Sequence, residues 1–237
     1  IQSSMTKGAS LSAGRVQSVV NKLIIEREED IKKFSSTSYY KTTCRFLVDK
    51  NKLNAELYQR IDTKEKAYNL LEICANANFK VGNVKKTISK RNPSPPFITS
   101  TIQQEVSSKF RIGPKKLMMI LQKLYESGLI TYMRTDSTLI SEDILDIIEK
   151  MVEEDYGPQY KNRKQYVKKS KNSQEAHEAI RPTDIKLKKL EEHGGDFTMD
   201  HFKVYNLIWR RTVASQMSVA KIENITLIID IYEDDDK

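Results

Sequence analysis

Apolar residues recur at Val16, Val19, Val20, Leu23 and Ile24, a spacing that lines one helical face and predicts a helix from about Ser12 to Lys33. From Tyr40 the period shortens to two. Tyr40, Thr42, Cys44, Phe46 and Val48 alternate with other residues, Asp49 to Lys52 makes a polar turn, and the alternation returns at Leu53, Ala55, Leu57, Gln59 and Ile61, the pattern of a β-hairpin. Ala67, Leu70, Leu71 and Cys74 then share a helical face, and Phe79 to Ser89 reads as a third strand. The run Asn92-Pro93-Ser94-Pro95-Pro96 admits no regular element, because proline lacks the amide donor and restricts the residue before it. A domain boundary is expected there.

Beyond the prolines the pattern turns helical. Thr99 or Ser100 is placed to cap a helix running to Phe110, and Gly113-Pro114 opens another whose Leu117, Met118, Ile120, Leu121, Leu124 and Tyr125 face a core until Gly128. Two helices joined by a short turn and followed by the extended stretch Leu129 to Met133 have the outline of a winged helix-turn-helix. Ser141 caps a further helix, with Glu142 and Asp143 placed favourably against its dipole, that ends at Gly157-Pro158. Tyr160 to Ser173 is polar and basic without periodicity, and its Lys161, Arg163, Lys164, Lys168, Lys169 and Lys171 read as a solvated loop before they read as a grip on phosphates. The same weighting holds for Lys85, Lys86, Lys90 and Arg91. A last helix begins at Asp200, and Ile222 to Tyr232 closes the chain as a strand. The expected fold class is α+β, a mostly helical domain with a winged-helix-like element joined to a strand-rich one.

Composition narrows the partners. The chain has 237 residues, 38% apolar and 30% charged, which fits one or two globular domains and not a disordered segment. Its 40 Lys and Arg against 32 Asp and Glu leave a net charge of +8, which favours a polyanion and puts nucleic acid first. Two cysteines, Cys44 and Cys74, form neither a disulfide framework nor a CxxC zinc pair, so a reducing setting is expected. No apolar run approaches the roughly 18 residues of a membrane span, and Ile1 to Ser10 has no signal-peptide core; no membrane partner is expected.

Three clusters carry chemistry. In Thr131-Tyr132-Met133-Arg134-Thr135-Asp136-Ser137 a tyrosine and an arginine two residues apart would project to the same side of an extended segment. A phenol, with a pKa of about 10, is a weak nucleophile, and attack on a phosphodiester needs positive charge where the pentavalent state builds negative charge. The planar fork of Arg134 suits two phosphate oxygens. In Gln174-Glu175-Ala176-His177-Glu178-Ala179-Ile180-Arg181-Pro182-Thr183, His177 is the side chain best suited to donate to a phosphate near neutral pH; Arg181 stands where a zinc-protease helix would need a second histidine. Leu11-Ser12-Ala13-Gly14-Arg15-Val16-Gln17-Ser18 opens the first helix, where free amides suit a phosphate, but its spacing is not that of a P-loop and no other stretch reads as an ATP site.

These stretches, with Pro96 to Gln104, Leu124-Tyr125-Glu126, Tyr205 to Arg211 and Ala214 to Met217, resemble the type IA DNA topoisomerases in content and order over roughly Leu11 to Tyr232. The bacterial topoisomerase I branch is the better fit, since the topoisomerase III branch usually carries proline where Met133 stands. The resemblance implies that Tyr132 attacks one DNA strand, keeps a 5′-phosphotyrosyl bond and releases a 3′-hydroxyl. One phosphodiester is exchanged for another, so relaxing negative supercoils would need no ATP. It further implies that Arg134 holds the scissile phosphate and His177 hydrogen-bonds there. Thr135, Asp136, Ser137 and Arg181 would support the site, and Ser12, Arg15, Gln17 and Ser18 would contact the single-stranded backbone.

The family's Mg²⁺ is held by a Toprim domain that no part of this chain resembles, and the terminal Asp234 and Asp236 read as solvated. No metal ligand is therefore expected here, and with Ile in first place the chain is expected to be a central portion of something longer. By the same resemblance residues 1–40 belong to the base of an arch, 41–91 and 218–237 to the strand-rich arch, and 92–217 to the helical cleavage domain. The expected partners are single-stranded and negatively supercoiled DNA, met by a monomer in the cytoplasm at the nucleoid. Two other classes compete. A non-catalytic winged-helix module would be indifferent to Tyr132, and a tyrosine recombinase would form a 3′ linkage with arginines and histidines that this chain does not match. A functional Tyr132 should also be more exposed than a core tyrosine.

Overall fold

A computed structural model describes residues 14–166 and 177–232, and the chain divides into two compact units, 1–83 with 228–237 and 84–227. The expected cleavage segment 92–217 falls whole within the second unit. Of the expected segment 41–91, residues 41–83 fall with 1–40 in the first unit and 84–91 in the second, and of 218–237 residues 218–227 fall in the second, so the division passes within the last strand of each part instead of at the prolines.

The first unit carries helix α1 (Arg15–Lys33), strands β1 (Thr43–Val48) and β2 (Asn51–Glu56) and helix α2 (Lys64–Asn76). It also takes the start of β3 (Asn78–Arg91) and the end of β4 (Ala220–Tyr232). β1 and β2 pair antiparallel with Phe46 opposite Leu53, and an outlying bridge joins Tyr40 to Ile61. The expected turn shortens to Asp49 and Lys50, whose φ of 48° and 75° give the backbone twist that a two-residue hairpin demands. Thr63 caps α2 by accepting from the Lys66 amide at 3.3 Å. The apolar stripe of α1 lies open, with Val16, Val19, Leu23 and Ile24 each more than half exposed, so amphipathic spacing there has no covering partner among the described residues. On α2 the predicted face is half-buried at Ala67, Leu70 and Cys74 and exposed at Leu71. β3 pairs with β4, and Gly82 faces Asp230 so closely that a Cβ there would force the carboxylate to move.

Among its described residues the second unit holds the core and four α-helices: α3 (Thr99–Phe110), α4 (Pro114–Glu126), α5 (Glu142–Tyr156) and α6 (Met199–Ser215). α4 packs against both α3 and α6. The stripe of α4 reaches the interior through Leu117, Ile120, Leu121 and Leu124, but Tyr125, expected in the core, is 40% exposed at the helix end. α6 contributes Val204, Tyr205, Ile208 and Trp209. Their polar ends are satisfied: the Trp209 indole donates to the Ile185 carbonyl and the Tyr205 hydroxyl to that of Leu187, each at 2.8 Å. Burial pushes the Tyr205 phenol far above its ordinary pKa, so it is a core tyrosine and no nucleophile.

Two local expectations change. The N-cap position of α3 is Ile98, not Thr99 or Ser100, and the Thr99 hydroxyl is committed elsewhere. Ser141 does stand at the N-cap of α5 but makes no side-chain cap bond; its hydroxyl hydrogen-bonds Asp143 and, with help from nearby amides, holds that carboxyl below its usual range. The basic stretch after α5 is also not loose where it is described. Lys161 pairs with Glu153 at 2.9 Å, Arg163 with Glu142 and Asp146, and the Tyr166 hydroxyl donates to the Ser215 carbonyl at 2.9 Å. Lys168, Lys169 and Lys171 lie outside the described residues.

Candidate active site

The segment after α4 sets the site. Burial alternates along it: Met133 and Thr135 are buried while Tyr132, Arg134 and Asp136 are exposed, so one side anchors in the core and the other faces outward. This is the side-chain alternation predicted from an extended chain, although the backbone bends and forms no regular strand. Tyr132 is 40% exposed, against 1% for Tyr205. Its ring meets Tyr125 edge to face, centroids 5.3 Å apart, and lies 6.2 Å from the ring of His177.

His177 arrives on a second extended segment laid between two others. The Ile180 amide donates to the Phe97 carbonyl at 2.8 Å, the Thr131 amide to Arg181 at 2.9 Å, and the Thr183 amide to Leu129 at 3.1 Å. The Thr131 hydroxyl donates to the Ala179 carbonyl at 2.6 Å, tying the residue before Tyr132 to this segment. Arg181 is buried, and its guanidinium turns away from the pocket to pair with Glu178 at 2.6 Å and to donate to the Pro182 carbonyl at 2.9 Å. Glu178 in turn accepts from the Ser141 amide at 2.7 Å, at the start of α5. Arg181 and Glu178 therefore fix the segment that presents His177 instead of meeting a ligand.

Between these segments lies an open depression of about 390 Å³ whose walls include Thr99, Ser100, Arg134, Thr135, Asp136 and His177. Tyr132 is not one of its walls. Among the described residues neither Arg134 nor Asp136 has a hydrogen-bond or ion-pair partner, which leaves the guanidinium free for an incoming anion. The Thr135 hydroxyl accepts from the Ser137 amide at 3.0 Å and the Ser137 hydroxyl from the Leu139 amide at 3.2 Å, so these two shape the loop. The imidazole and the guanidinium share one depression and the exposed phenol lies beside the imidazole, a set that suits nucleophilic attack on a phosphodiester.

Thr99, Ser100, Glu178 and Tyr125 join this neighbourhood without having been singled out for it. Spacing could not find them: Thr99 and Glu178 act through bonds to backbone more than thirty positions away, Ser100 lines the depression from α3, and Tyr125 meets Tyr132 from the end of α4. The other predicted set lies in the first unit: Gln17 and Ser18 are exposed on α1, the Ser18 hydroxyl donates to the Gly14 carbonyl at 3.1 Å, and Ser12 lies outside the described residues. Of Arg15 only its place as the first residue of α1 is described. Among the described residues no three His, Cys, Asp or Glu converge to hold a metal ion. No described helix is long and apolar enough to cross a membrane.

Comparison with known proteins gives the class to which this mixed fold belongs. The family model described as DNA topoisomerase matches residues 1–236, so the chain belongs to that family. It is 42% identical to the DNA topoisomerase 1 of Rickettsia bellii, over 91% of this chain and 30% of that protein. The Escherichia coli DNA topoisomerase 1 is 38% identical over 92% and 26%. The solved full-length topoisomerase I from Thermotoga maritima superposes with a TM-score of 0.72 at 33% identity, covering 95% of this chain and 39% of the other. The likeness to the bacterial type IA branch read from the motifs is thus borne out, as is the α+β class. The chain spans under a third of the length of these curated relatives.

Proposed function

We propose that this chain carries the strand-cleaving and rejoining centre of a type IA topoisomerase acting on single-stranded segments of negatively supercoiled DNA. The Tyr132 oxygen attacks the scissile phosphorus, a 5′-phosphotyrosyl bond forms, and the 3′-oxygen leaves as a hydroxyl. Return attack by that hydroxyl reseals the strand and frees the tyrosine. Arg134 binds the non-bridging oxygens as they gain charge, and His177 hydrogen-bonds the same phosphate. Thr135 and Ser137 shape the loop, Asp136 supports the site, Arg181 anchors the histidine segment, and Ser12, Arg15, Gln17 and Ser18 contact single-stranded backbone. The bond energy stored in the phosphotyrosine accounts for resealing without ATP. In this reading Mg²⁺ is bound by acidic residues other than those described, and the enzyme works as a monomer in the cytoplasm at the nucleoid.

The observation that carries the reading is the exposed Tyr132 ring 6.2 Å from His177, beside a depression walled by an unpaired Arg134. The test uses the intact protein with Mg²⁺ and a labelled single-stranded oligonucleotide. Tyr132→Phe is expected to keep oligonucleotide binding and to form no covalent adduct, and the wild-type adduct is expected on the 5′ side of the break. An adduct at wild-type yield in Tyr132→Phe, or one on the 3′ side, refutes the assignment. A DNA-binding module without catalysis would give no adduct in either protein.

A further inference from the structure

Arg134 has an exposed guanidinium with no partner among the described residues, so nothing but the backbone of Met133 to Thr135 sets where it points. That backbone hangs on one side chain. The Thr99 hydroxyl, on the first residue of α3, lies 2.8 Å from the Met133 carbonyl and 3.1 Å from the Thr135 carbonyl, and it accepts from the Thr135 amide at 3.0 Å. A hydroxyl has one proton, so it donates to one carbonyl at a time, the shorter contact being to Met133. The Thr99 amide adds a further tie, donating to the Thr135 carbonyl at 3.0 Å. The residues on both sides of Arg134 are thus stitched to α3 through Thr99, and the side chains of those two residues are buried at 1% and 7% exposure.

We propose that Thr99 is a positioning residue for strand cleavage, holding the Met133–Thr135 backbone so that Arg134 meets the scissile phosphate. The inference rests on the assignment of Tyr132 and Arg134 above. Removing the hydroxyl leaves the Met133 carbonyl and the Thr135 amide short of a partner at the edge of the core, while the Thr135 carbonyl keeps the Thr99 amide, and the loop relaxes to satisfy them. A shift of about 1 Å in a phosphate-binding group is enough to slow chemistry by one to two powers of ten. Serine keeps both the donor and the acceptor, whereas valine keeps the shape and loses both.

The experiment is a double-mutant cycle in the intact protein, read as the rate of covalent adduct formation on a saturating single-stranded oligonucleotide with Mg²⁺. Thr99→Val is expected to slow adduct formation about tenfold or more, and Thr99→Ser to stay within about twofold of wild type. In an Arg134→Ala background, Thr99→Val is expected to add less than about twofold, because the group it positions is gone. Equal losses in both backgrounds, no loss from Thr99→Val, or a Ser variant as slow as Val would each overturn the proposal. Thr99→Ala, which cannot clash, serves the same cycle should valine disturb folding. If Arg134→Ala alone leaves the rate unchanged, the assignment of the phosphate clamp fails; if Arg134→Ala is slow and Thr99→Val is not, only the positioning role fails.

Discussion

Glu178→Ala tests whether the His177 segment is held by its buried ion pair. In the folded chain Glu178 does two jobs: it neutralises Arg181, which is 7% exposed, and it accepts the Ser141 amide at the start of α5. Breaking a fully buried pair from one side costs about 3–5 kcal/mol, because the surviving charge loses its partner. The Glu178 side chain is 32% exposed and Arg181 keeps its bond to the Pro182 carbonyl, so water reaches part of the pair and about 2 kcal/mol is the better figure. Losing the acceptor at the start of α5 adds about 1 kcal/mol. The total of about 3 kcal/mol corresponds to a fall of about 6–12 °C in melting temperature for a chain of this length. Glu178→Gln keeps an acceptor for the Ser141 amide and gives up only the charge, so it should fall between Ala and wild type. Thermal unfolding of the 237-residue chain followed by circular dichroism reads both. A Glu178→Ala variant within about 0.5 kcal/mol of wild type would refute the argument. So would a Gln variant as damaged as Ala, since the two jobs would then not be separable.

Two further outcomes follow from particular contacts. Tyr125→Leu removes the edge-to-face partner of Tyr132, worth about 0.5–1.5 kcal/mol, and should slow adduct formation about three- to tenfold while Tyr125→Phe stays near wild type; equal rates in all three would refute a role for the ring contact. His201 is held below its ordinary pKa, first by burial and then by the positive charge of Lys123, so below pH 6.5 the unfolded chain takes up this proton before the folded one does. Its contribution is therefore whole above pH 6.5 and is lost as pH falls below it, and His201→Asn should lose less melting temperature than wild type between pH 7.5 and 5.5. Parallel losses would refute it.

Much of the fold was legible because the signals that start and stop its helices are local. α3, α5 and the end of α1 fall where the spacing and the stop signals put them, with Gly157-Pro158 ending α5 and Gly113-Pro114 opening α4. Where the reading slipped, a distant group had intervened. Thr99 reads as a cap by residue type, but the carbonyls of Met133 and Thr135 claim its hydroxyl from more than thirty positions away. Lys161 and Arg163 read as a solvated loop by composition, yet α5 presents Glu142, Asp146 and Glu153 along the face they cross. Periodicity describes what a residue could face; it carries no information on which segment arrives to be faced.

The site shows the same division in sharper form. Tyr132, Arg134 and His177 were legible because their chemistry is rare: a phenol beside a fork-shaped cation is a poor choice for packing and a good one for phosphate. The residues that aim them were not. Thr131, Thr99 and Glu178 are ordinary in type, and each matters only because its polar atom closes a bond to a backbone group brought close by folding. A tolerant loop could carry the same three side chains without setting Tyr132 beside His177 and His177 in one depression with Arg134. What separates this chain from such a loop is that Met133, Thr135 and Ile180 are driven into the core, so burial fixes the backbone and the backbone fixes the exposed neighbours between them. On that argument, changes to these buried or polar supports should reduce cleavage with the reactive groups themselves intact, as the Thr99 variants are built to show.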